Sequence, residues 1–143
     1  MRLSQFCFAI ASFTAVVGMS LGIYMGISED HSLAPVHVHL NLIGFVSMFL
    51  FGLYYHAHPR AEGRFAHIQV GVMTGGYIIM MAALAAFISF QTSGALFAAI
   101  TGSVLVWLAM LAFSVIVWRE AWTSGPARVR PTQSQTSNTG VTS

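Results

Sequence analysis

Six histidines carry most of the chemistry this sequence offers. His37 and His39 stand at the mouth of an apolar run that continues to Tyr55. His56 and His58 follow that run, His67 opens the next one, and His31 lies just ahead of the pair. An imidazole in or at the edge of an apolar span is costly unless its ring nitrogens are engaged. A hydrogen-bond partner, a proton path, a metal ion or a heme iron would serve. The remaining polar chemistry is sparse. Glu29, Asp30, Glu62 and Glu120 fall in loops or at span ends and form no acid/base pair. Cys7 is alone, which excludes a disulfide framework and a cysteine metal site. The glycines sit inside apolar runs, where they cannot form a phosphate-binding loop.

Four apolar runs must position these histidines: 6–27, 35–55, 65–90 and 95–118. Each meets the roughly 20 residues a helix needs to cross hydrocarbon. The first exceeds the apolar core of about 7–15 residues found in a secretory signal and is read as a retained helix. With 56% hydrophobic and 7% charged residues, a chain of 143 could not bury so much apolar surface in its own core. These features predict an all-α, integral membrane four-helix bundle with lipid as its main surroundings. Arg2, Arg60, Arg64, Arg119, Arg128 and Arg130 all fall on one side of the predicted spans, and the sequence has no lysine. That asymmetry predicts cytoplasmic termini and a multi-pass protein of a bacterial-type inner membrane. The basic residues show no interleaved aromatics, so nucleic acid is not an expected partner. From Thr123 onward, Ser, Thr, Gln and Pro dominate, and positions 123–143 are expected to form a disordered cytoplasmic tail.

Helical periodicity separates the two histidines of the pair. At about 100° per residue, His37 shares a stripe with Asn41, Gly44, Met48, Phe51 and Tyr55. His39 shares one with Leu42, Ile43, Val46, Leu50 and Leu53, which is aliphatic throughout. His37 is therefore expected to face the bundle, with Gly44 leaving room for a flat ligand. His39 ranks second as a ligand, and the two cannot chelate one ion from a regular helix. His56 and His67 flank the turn between the second and third runs and form a second candidate pair, or two interfacial side chains. His67 shares a face with Gly71 and Gly75 and is expected to point toward a neighbour. Small residues four apart (Gly18, Gly22 and Gly26; Gly71 and Gly75, followed by Gly76; Gly94, Ala98 and Gly102) mark packing ridges, and tight packing or dimerisation is expected. His37 lies about 27 Å of helix from Tyr55, so His37 and His67 cannot share an iron. A second outer-side ligand would be His31, His39, or His37 of a twofold-related copy.

The segment His37-Val-His-Leu-Asn-Leu-Ile-Gly-Phe-Val-Ser-Met-Phe-Leu-Phe-Gly-Leu-Tyr-Tyr55 resembles the second transmembrane helix of subunit I in the heme-copper oxidase superfamily. The cbb3-type oxidase and nitric oxide reductase branches are nearest. Arg64-Phe-Ala-His-Ile-Gln-Val-Gly-Val resembles the start of the next helix more loosely. The resemblance implies that His37 is an axial ligand of a b-type heme. It implies no oxidase activity for this chain alone, because no histidine follows His67 and the copper site and partner heme ligand have no counterpart. Three functions follow as expectations. The first is a small heme-b protein in electron transfer or a respiratory-chain accessory role, as a homodimer or with respiratory-complex subunits. The second is a cofactor-free accessory or assembly subunit of an oxidase. The third is an outer-face copper- or heme-handling protein using His31, His37 and His39.

Overall fold

A computed structural model describes residues 2–123. Four helices, each long and apolar enough to cross a membrane, account for nearly all of them: α1 (Leu3–Ser28), α2 (Ala34–Ala57), α3 (Arg64–Phe90) and α4 (Ser93–Thr123). No strand occurs among the described residues. Helix α4 runs past the expected end at 118, carrying Arg119, Glu120 and Trp122 within it. The expected tail beyond Thr123 lies outside the described residues.

Local chemistry sets the boundaries. The first free N–H groups of α1 are met by side chains: Gln5 Oε1 accepts from Arg2 N–H at 3.2 Å, and Glu62 Oε1 accepts from Leu3 N–H at 2.6 Å. The second bond also ties the start of α1 to the α2–α3 turn. Helix α1 ends on Glu29 in the left-handed region, φ 55°. Asp30 then accepts a bond from Ser32 N–H at 2.9 Å, which holds the Asp30 carboxyl below its usual range. Pro35 falls in the first turn of α2, where its missing N–H costs nothing. Helix α3 ends on Gln91, again left-handed, φ 53°.

Helix α2 is not regular. Its middle, Leu40–Ser47, is π-helical, with α-helical turns on either side. At its start the Asn41 amide donates to the His37 carbonyl at 2.9 Å, the same carbonyl that the Asn41 N–H would use in an α-helix. The predicted inward stripe survives the irregularity: Gly44, Met48, Phe51 and Tyr55 are all buried, while Leu42, Val46, Leu50 and Leu53 are exposed.

The bundle is two hairpins. In the first, α1 packs along α2. In the second, α3 packs along α4, and backbones of the two hairpins seldom approach each other. Side chains bridge the gap: Phe51 of α2 meets Phe113 of α4 with ring centroids 4.4 Å apart, and Tyr54 meets the same ring at 5.2 Å. Met48, Phe51, Tyr55, Val70 and Met73 are among the largest fully buried side chains of the core. Arg2, Arg60, Arg64 and Arg119 gather at one end of the bundle, with the α2–α3 turn and the end of α4.

Candidate functional site

The geometry around His37 begins with the glycine ridge of α1. A Cβ on Gly22 would lie 2.8 Å from His37 Cε1, and one on Gly18 would lie 2.8 Å from the Asn41 side-chain oxygen. The two polar side chains of α2 therefore occupy the hollows left by two missing methyl groups on α1. His37 Nδ1 sits 2.9 Å from the Gly18 carbonyl oxygen. A carbonyl only accepts, so Nδ1 carries the proton and Nε2 carries the lone pair. The Asn41 amide nitrogen lies 3.5 Å from both ring nitrogens, in long contacts. A ring nitrogen bonded to a backbone carbonyl fixes the tautomer and orientation of an imidazole. The ring is half-buried.

Gly44 is placed differently from the sequence expectation. It is buried, and the hydroxyl and ring of Tyr77 from α3 press against it. The room expected there for a flat ligand is filled by this chain's own tyrosine. Gly44 thus serves the contact between the two hairpins.

Four of the other histidines bond locally. His39 Nδ1 donates to the Pro35 carbonyl at 2.7 Å, one turn back on its own helix. His31 Nδ1 lies 3.3 Å from the Glu29 carbonyl, in the exposed loop. His58 stacks on Tyr54 with centroids 4.6 Å apart and donates to the Tyr54 carbonyl. His67 donates to the Gly63 carbonyl at 3.0 Å and is exposed. The face it shares with Gly71 and Gly75 is open, with nothing within 4 Å of a Cβ at either glycine. That corrects the expectation that His67 points to a neighbour: α4 packs against Gly76, one residue round the helix. His56 is exposed and lines a cleft with Arg2, Ser4 and Glu62. Neither His56 nor His67 bonds to the other. Among the described residues, no three His, Cys, Asp or Glu side chains converge as a metal site.

A second polar cluster escaped the sequence reading. Tyr55 donates to Gln69 Oε1 at 2.9 Å, and Gln69 Nε2 donates to the Ala109 carbonyl at 3.3 Å. Three helices are joined by this buried chain of bonds, with Gln69 only 2% exposed. Its signal was available: Gln69 is the one side-chain amide in the third apolar run, and a buried amide must find partners.

No family model, no curated protein and no solved structure matches this chain. The fold and the His37 geometry thus stand on this chain's own residues.

In donor chemistry His37 supplies one imidazole nitrogen of the kind a heme iron takes. The residues do not fit a ligand lodged over Gly44, where Tyr77 sits.

Proposed function

We propose that this is a multi-pass membrane protein that holds a b-type heme through His37 and serves electron transfer or a respiratory-chain accessory role. The observation that supports the reading is the His37 bond to the Gly18 carbonyl, which favours the Nδ1-protonated tautomer and leaves Nε2 with only a long 3.5 Å contact to the Asn41 amide. Bound heme would supply a one-electron couple whose potential follows from its axial ligands and burial. The chain's own contributions are separate. The Gly18 carbonyl accepts a hydrogen bond from Nδ1–H, Gly22 leaves the space in which the ring lies, and the Asn41 amide lies 3.5 Å from both ring nitrogens. Of the candidates His31, His39 and His37 of a second copy, the last would supply the other nitrogen donor in a twofold dimer. His39 belongs to an outward-facing stripe, and His31 sits in the exposed loop.

One observation favours a second reading. Tyr77 over Gly44 closes the interior of the bundle, as in a subunit whose helices serve only packing. That reading is a cofactor-free accessory or assembly subunit of a respiratory oxidase.

A reduced-minus-oxidised visible spectrum of the purified, heme-supplied chain separates the two. The heme reading predicts sharp b-type bands at one heme per two chains, lost in His37→Ala with helicity intact. A featureless spectrum from folded protein selects the accessory subunit.

A further inference from the structure

At the arginine-rich end, a cavity of about 270 Å³ opens between the α2–α3 turn and the last turns of α4. Arg60 reaches it from the 3-10 turn Pro59–Ala61, and Arg119 from α4. Glu120 also lines it, so the wall carries two guanidinium groups and one carboxylate. Among the described residues the lining carries one excess positive charge, the complement of a single phosphodiester. Arginine suits this task, because its planar fork binds two phosphate oxygens at once.

Directly beside it is an open apolar strip on the outer face of α4, formed by Leu111, Ser114, Val115 and Trp118. Arg119 lines both spaces. From Leu111 to Arg119 the helix rises about 12 Å, enough for the upper part of an acyl chain. Phe65 and Trp118, 49% and 67% exposed, flank the two spaces as aromatic rings do at a membrane–water boundary. A free anion would use only the charged half, whereas a phospholipid uses both.

We propose that these two spaces form one binding site for an anionic phospholipid, with the phosphate between Arg60 and Arg119 and one chain along α4. The site depends on the chain being membrane-embedded and is independent of any heme. Basic pockets between helices at the cytoplasmic side are the geometry that holds such headgroups.

Native mass spectrometry of the full chain, released from micelles doped with phosphatidylglycerol or with phosphatidylcholine of the same acyl chains, tests it. Phosphatidylglycerol is expected to be retained about tenfold better, with the preference falling as salt rises. Each of Arg60→Gln and Arg119→Gln should weaken retention about fivefold. The double replacement by lysine should keep the preference, which guards against a folding artefact in the glutamine variants. Equal retention of the two lipids by the unaltered chain overturns the proposal. So does an unchanged preference in the double glutamine variant, or displacement of the lipid by an equal concentration of inorganic phosphate.

Discussion

The two hairpins use glycine in opposite ways. In the α3–α4 pair, glycine brings backbones together: a Cβ on Gly102 would lie 2.6 Å from the Met80 nitrogen and 2.7 Å from the Gly76 oxygen. In the α1–α2 pair, glycine makes room for side chains, with His37 resting on Gly22 and Asn41 on Gly18. Backbone cannot yield to an added methyl group, but an imidazole or amide can swing. The first use builds a rigid support, and the second builds a seat for a polar group. The same small-residue spacing thus marks structure in one hairpin and a candidate ligand in the other.

That difference can be broken or sharpened by substitution. The largest effect should come from Gly102→Val, which forces α3 and α4 apart at a cost of about 3 kcal/mol, read as a lower unfolding midpoint in detergent. Gln69→Leu comes next, at about 1–2 kcal/mol, because Tyr55 loses its buried acceptor and the Ala109 carbonyl its donor. Gly22→Ala should cost about 1 kcal/mol or less in the same assay. Its main signature is a displaced His37 ring, seen as a heme affinity reduced roughly tenfold. A Gly22→Ala cost matching that of Gly102→Val would erase the distinction between the hairpins. Gly71→Ala meets open space and should gain about 0.5 kcal/mol from helix propensity. The smallest effect concerns Asp30. Its carboxyl is held below the ordinary value of 3.8 by the Ser32 N–H, so its contribution is present above that pH. Acidification through the lowered value should remove it, seen as faster exchange of the Ser32 amide with no change at His37.

Much of this arrangement could be read from the sequence because helical periodicity is robust. The four spans, and the burial of Gly44, Met48, Phe51 and Tyr55 on the face below His37, follow from spacing alone. The readings that went astray needed partners that spacing does not name. Gly44 looked like open room until Tyr77, 33 residues on, filled it. Of the ridge Gly71, Gly75 and Gly76, only Gly76, about 100° round from Gly75, meets α4. The Gly18 and Gly22 hollows were visible as a packing pattern, but their occupants lie on another helix. The π-helical middle of α2 had no periodic signature, because the residues that bond around it, Asn41 and Ser47, are polar members of an otherwise ordinary apolar run.

The central claim is that α1 orients His37 with its proton on Nδ1 and its lone pair on Nε2. Nitrogen-15 NMR of the histidine-labelled, cofactor-free chain, at a pH where imidazole is neutral, measures this directly, with His37→Gln to assign the signal. The account predicts a protonated Nδ1 and a bare Nε2 at His37, with the Nδ1 proton lost to fast exchange more slowly than at His31. A His37 signal with the proton on Nε2 and a bare Nδ1 would contradict it, since that ring could neither donate to Gly18 nor present Nε2 to a metal.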